Sequence, residues 1–216
     1  MPTIPYKNKD GKRVKGVTTI NNNVGWGKGG LMYWANQVGL EGKTLDEARD
    51  TATISGTIAH YLIECFLLKQ KPDLTTYKKV DIDKGHIAFD NFKIWTKQFE
   101  FKPIAVEPHL VSEKYQYGLT PDVIAEVLGE LALVDWKTGK TYASLFLQLA
   151  GYGQGWEENY PDKLLKGGYH VLRIPKDADI PSFHHSHWKV LPPEAWNSFA
   201  DALDLSKNEK ILSKLL

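Results

Sequence analysis

The sequence predicts an α/β fold in which a mixed β-sheet is flanked by helices. Three observations carry this. Apolar residues recur at helical spacing through much of the first hundred positions. The period then changes, and short apolar runs follow one another from Lys102 to Lys137. Last comes a helical segment, two further strand-like runs and a closing helical segment. Helices, a strand meander, a helix, strands and a helix make a layered α/β sandwich on a mixed sheet.

Taken in order, "GVTTINNNVGWGKGGLMYWANQVGL" reads as a short strand, a Gly/Asn-rich loop and a short helix with Leu31, Trp34 and Ala35. "GWGKGG" lacks the strand-to-helix context of a phosphate loop and is read as a flexible turn able to brush DNA phosphates. "TLDE" forms a capping box, with Thr44 capping and Glu47 bonding back. The helix it starts is expected to break near Ser55–Gly56 and to resume as "TIAHYLIECFLLK". There Ile58, Leu62 and Phe66 form an apolar stripe, while His60 and Glu64, four apart, share another face. Ala88, Phe92, Trp95 and Phe99 make Lys84 to Phe99 a helix. "KPIAVEPHLVS", "DVIAEVL" and "LALVDWK" read as successive strands, the last two joined by a turn at Gly129–Glu130. "SLFLQLAGYGQGWEENY" is a helix that stops before Pro161; "GGYHVLRIP" and "SFHHSHWKVL" are late strands; Pro192 to Leu216 is a helix.

The chain has 216 residues, 42% hydrophobic and 25% charged, enough for one domain with a real core. Its net charge of +1 offers no global field for nucleic acid. The charge is uneven: Lys7, Lys9, Lys12, Arg13 and Lys15 face a single Asp10 in a basic arm, read as a solvated tail. The lone Cys65 excludes an internal disulfide and any four-thiolate site. The N-terminus shows neither an apolar signal region nor a transit pattern, and no run approaches a membrane span, so a soluble, cytoplasmic protein is expected.

The chemistry concentrates in "VDWKTGK". Strand side chains alternate faces, so Asp135 and Lys137 project together and Trp136 packs on the opposite side. A neutralised ion pair at a strand end is the bland reading. A hairpin would, however, bring Asp122 of "GLTPD" beside Asp135, close enough for both carboxylates to share a hard divalent cation. Asp122 could equally cap a turn after Pro121. Gln148 and Tyr152, four apart, are neighbours on one helical face. A lone helical His60 beside Glu64 is, by physics alone, as easily a satisfied structural group. Glu64 and Glu107 each divide evenly between orienting a ligand and a plain structural role. "HHSHW" sets His185 and His187 on one strand face with His184 nearby, but nothing else supports zinc, and an exposed strand is expected. Tyr142 and Phe146 could stack on bases, core packing being the alternative.

In order, "GTIAHYLIE", "GLTPD", "VDWKTGK" and "QLAGY" resemble the motifs of the PD-(D/E)xK nuclease superfamily, in particular its RecB-like branch. The "VTTI…LMYWANQVG" opening and "VEPHLVS" are similar to the mitochondrial genome maintenance exonuclease and its phage relatives. The resemblance spans roughly Val17 to Tyr152. It implies a restriction-endonuclease-like core as a single domain over residues 1–216, with residues 1–50 a basic arm and helical extension. It implies a DNA exonuclease dependent on Mg²⁺ or Mn²⁺, acting on DNA ends or single strands in recombination, repair or phage DNA processing, in a bacterial or phage-infected cell. Asp122, Asp135, His60 and the Trp136 carbonyl would hold the metal; Lys137 would position the attacking water; Gln148, Tyr152 and Lys140 would hold the site or contact DNA. Glu64 and Glu107 could each be an outer ligand or orient one from behind the ligands. With one cysteine there is no iron–sulfur cluster, and with no GxxxxGK[ST] loop any helicase or recombinase partner is a separate protein. A restriction-like or structure-specific endonuclease on the same core is the alternative. A catalytically inactive DNA-binding protein is another, against which the intact Asp122, Asp135, Lys137 and Gln148 argue.

Overall fold

A computed structural model describes residues 4–26, 28–176 and 182–215. Four helices come first: α1 (Val17–Val24), α2 (Lys28–Leu40), α3 (Leu45–Leu67) and α4 (Lys79–Gln98). Strands β1 (Phe101–Val106), β2 (Leu110–Ser112), β3 (Tyr117–Leu119), β4 (Val123–Val127) and β5 (Glu130–Lys137) follow. Helix α5 (Ser144–Asn159), strands β6 (Gly168–Arg173) and β7 (His184–Trp188) and helix α6 (Pro193–Leu212) complete the order. The main sheet runs β1-β4-β5-β6-β7, and β2 and β3 form a separate ribbon. Only the β5–β6 pairing is parallel, bridged by α5, so the sheet is mixed.

The central strands β4 and β5 feed two cores. On β5, Leu133 joins Ile124 and Val171 under α1, α5 and α6, in a cluster with Val17, Tyr152, Trp156 and Phe199. The alternate residues Ala132, Val134 and Trp136 face the other way, packing with Ala59, Ile63, Phe92 and Trp95 of α3 and α4. Trp136 is fully buried, its ring 5.4 Å from that of Phe92 at a steep angle.

Several expectations need correction. Val17–Val24 is a helix, not a strand: its β-branched residues favour extension, but Val17 and Ile20, three apart, bury together on one helical face. Gly25, at φ 73°, ends it; Lys28–Gly30 open α2 rather than lying in a turn, and Gly27 falls outside the described residues. Helix α3 begins directly after Thr44, while the Glu47 side chain of the expected capping box lies outside the described residues. That helix also runs unbroken through Ser55–Gly56. "KPIAVEPHLVS" splits at Glu107, whose φ of 44° turns the chain out of the sheet and into β2. The short β3 was not expected at all. The hairpin turn sits one residue earlier than expected, at Leu128–Gly129, with φ of 51° and 80° and Val127 paired to Glu130.

The basic arm is not a solvated tail. Lys7 and Arg13 bridge as a small hairpin that is pinned to the β2–β3 region. Asn8 donates to Gln116 at 2.6 Å, Gly118 N–H donates to the Lys15 carbonyl at 2.9 Å, and Tyr6 stacks on His109 at 4.3 Å. Val17 and Ile20 of α1 sit in the core.

Strand β7 is at the sheet edge with His184 and His187 exposed, as expected, while His185 is half-buried. His185 and His187 stack with His170 of β6, and His185 also lies against Trp95 and Phe99. Burial, reinforced by the two neighbouring imidazoles, pushes His170 down to about 3. Phe146 packs against Trp188, as the core reading had it, whereas Tyr142 precedes α5 and is exposed. No described helix is long and apolar enough to cross a membrane.

Candidate active site

Pairing of Val123 with Val134 places Asp122, one residue before β4, opposite Asp135 on β5. Both then point to the α5 side, because Ile124 and Leu133, two positions along, point there. The expectation from "VDWK" is met: Asp135 and Lys137 share a face and Trp136 fills the opposite core. Asp122 does not merely cap a turn. Its Oδ2 accepts the Trp136 N–H at 2.9 Å across the strands, and its Oδ1 lies 3.6 Å from His60 Nδ1.

His60 reaches this point because α3 passes close to the end of β5. Gly56, one turn before His60, faces Thr138; a Cβ at residue 56 would sit 2.8 Å from Thr138 Oγ1. A side chain there would have to displace the Thr138 hydroxyl, so the glycine spaced four before the histidine has a steric reason. The His60 ring also sits edge-on to Trp136, at 6.2 Å. It is not buried among core residues on the Leu62 side.

Asp135 is fully buried, and among the described residues its Oδ1 has no hydrogen-bond partner. Lys137 Nζ lies 2.6 Å from Oδ2 in an ion pair. Burial pushes Asp135 up to about 6; Lys137 opposes this and Asp122 reinforces it. Asp122 is held below its usual range: burial would raise it, but His60, Lys137 and the Trp136 N–H outweigh that. The same carboxylates raise Lys137 and His60 against the effect of burial, so both favour the cationic form. The centre is two carboxylates balanced by one ammonium and one imidazole.

From α5, Gln148 Nε2 donates to the Tyr152 hydroxyl at 2.9 Å, so the i, i+4 pair forms as expected. Burial, with Asp135 and Asp122 adding to it, keeps that phenol protonated. Glu107 lies beside Glu64, Asp122 and His60; burial first and Glu64 next push it up to about 7. Lys140 is exposed beyond the end of β5. Sequence reasoning missed Thr138, Thr18, Thr120 and Tyr6. Thr18 shares a cavity lining with Tyr152, and Thr120 exchanges a 2.7 Å hydrogen bond with Tyr6. Each stands beside a motif residue in the chain or in space, but hydroxyls carry no spacing signature that would have marked them.

Among the described residues no three His, Cys, Asp or Glu side chains form a ready-made metal cluster. The donors are paired with each other instead, yet their chemistry fits a hard cation. An Nδ1–Oδ1 separation of 3.6 Å is close to the roughly 3 Å between adjacent ligands of a six-coordinate ion with bonds of about 2.1 Å. Asp135 Oδ1, fully buried, also has no hydrogen-bond partner among the described residues. Compared with known proteins, the chain matches no family model and no curated protein.

Proposed function

We propose that this chain is a metal-dependent deoxyribonuclease with a PD-(D/E)xK, restriction-endonuclease-like core, acting on DNA ends or single strands. One observation carries the reading: Asp122 and Asp135 meet across the β4–β5 hairpin with Lys137 and His60 at the same end of the sheet. Asp122, Asp135, His60 and the Trp136 carbonyl would hold Mg²⁺ or Mn²⁺. Such an ion neutralises charge on a phosphodiester and acidifies water for in-line attack.

The remaining work falls to the chain's own groups. Asp122 is fixed by the Trp136 N–H, so one oxygen keeps its direction while the other, paired with His60, is turned toward the centre. Lys137, held cationic, orients the attacking water by donating to it and balances the negative charge that grows on the phosphate. Gln148 and the protonated Tyr152 are donors on the α5 side of the same centre, suited to non-bridging phosphate oxygens. Trp136 and the aromatic core behind it keep the strand end rigid. No iron–sulfur cluster enters this reading.

Linear and closed-circular DNA, single-stranded and duplex, incubated with Mg²⁺ or Mn²⁺ and with chelator, test the reading. Metal-dependent loss of linear DNA with circles intact supports an exonuclease. Cut circles assign an endonuclease. Binding without cleavage of any substrate assigns a nuclease-like binding protein and overturns the proposal.

A further inference from the structure

We propose that a cavity between the N-terminal hairpin and α1 receives the terminal nucleotide of a DNA strand and presents the next phosphodiester to Asp122 and Asp135. The assignment rests on the nuclease reading above. The cavity has a volume of about 470 Å³, within the range of small-molecule sites. Its floor is shared with the centre just described: Thr120 stands two residues before Asp122, and Tyr152 is the phenol bonded by Gln148.

The walls match a nucleotide. Pro5, Val14 and Val17 give an apolar side for a base or sugar, while Thr18 and Thr19 bring hydroxyls. Arg13 lines the cavity, and among the described residues its guanidinium has no ion-pair partner. Lys15 lines it with its stem only: its ammonium is turned to Glu209 and the Ser206 carbonyl on α6. A cation without an ion-pair partner among the described residues, beside a mostly apolar cavity, suits a phosphate attached to a base and sugar.

The hairpin makes the cavity a stop. Tyr6 is bonded to Thr120 and stacked on His109, and Asn8 and the Lys9 N–H are tied to Gln116 and Glu113. A strand running from the carboxylates past Tyr152 into the cavity would meet this fixed wall. An internal stretch of DNA would have to continue through it.

Thymidine 5′-monophosphate, thymidine and inorganic phosphate, titrated separately into the full chain in chelator, test the assignment by calorimetry. The monophosphate is expected to bind more tightly than either fragment. Thr19→Phe, an exposed position that fills the cavity, and Arg13→Ala should each weaken it about tenfold with an unchanged melting temperature. Both should raise KM on linear single strands by a similar factor. Metal-dependent cleavage of linear DNA without monophosphate binding, or an unchanged KM in both variants, overturns the proposal and leaves the nuclease reading intact. Monophosphate binding abolished by Thr19→Phe in a chain that cleaves no DNA sustains the cavity as a nucleotide site and refutes the nuclease reading.

Discussion

Replacing Asp135 by Asn should make the protein inactive and more stable at the same time. The carboxylate is fully buried and pushed from 3.8 up to about 6, chiefly by burial. A folded-state value above the unfolded one means that stability is whole below pH 3.8 and is lost as pH rises through about 6. That difference, a little over two units, corresponds to roughly 2–3 kcal/mol at neutral pH in metal-free protein. Asn keeps the shape without the charge and removes the cost. For a chain of this size each kcal/mol moves the melting temperature by about 2–4 °C, so a rise of several degrees is expected in chelator. The gap between variant and parent should be absent near pH 4, open up to pH 6 and stay constant above it. Mg²⁺ should raise the melting temperature of the parent and leave that of the variant unmoved. DNA cleavage should fall by about three orders of magnitude or more. Melting curves recorded in chelator from pH 4 to 8, with a cleavage assay alongside, measure all of this. A variant less stable than the parent at pH 7 in chelator, or one that cleaves normally, would refute the reasoning.

The other predictions concern the neighbours of Asp135. Lys137→Ala should lower kcat by orders of magnitude with DNA affinity nearly unchanged; weak binding with normal turnover at saturation would make the lysine a phosphate dock instead. His60→Ala should weaken metal binding, and excess Mn²⁺ should restore its activity further than it restores that of Asp135→Asn; equal rescue would remove His60 from the ligand set. Gly56→Val, colliding with Thr138, should lower activity and displace His60 while leaving Asp122 and Asp135 paired, which a crystal structure of the variant would show. His170 is held down to about 3, below its unfolded value, so its contribution to stability is present above pH 6.5 and lost as pH falls. Its replacement by Phe should therefore reduce the acid sensitivity of the melting temperature between pH 6.5 and 4.5; an unchanged slope would place that sensitivity elsewhere.

The site was more legible than the scaffold around it because strand alternation is a strict rule. Once "LALVDWK" is a strand, Asp135, Trp136 and Lys137 can face only one way each, and the structure follows. Gln148 and Tyr152 were legible for the same reason on a helix. What failed depended on long-range packing. The β-branched "VTTI" gave a strand signal that burial of Val17 and Ile20 overrode. The positive φ of Glu107 is carried by a residue that rarely adopts it, so no local signal marked the end of β1. The hairpin of the basic arm depends on Gln116, Thr120 and His109, each about a hundred positions away, and composition alone described only its charge. Gly56 looked like a helix breaker in sequence; in the fold it is the point where α3 clears Thr138.

The two-residue turn at Leu128–Gly129 acts as a ruler for the chemistry at the far end of its hairpin. Asp122 and Asp135 are opposed only because every pair from Val127–Glu130 to Val123–Val134 is in step. Adding a single residue to β4 would rotate Asp122 to the Trp136 side of the sheet, since a one-residue slip exchanges the two faces. Exchanging Leu128–Gly129 for another two-residue turn would leave the carboxylates where they are. Length changes in this loop should therefore be all or none in their effect on the centre, although the loop itself touches none of it.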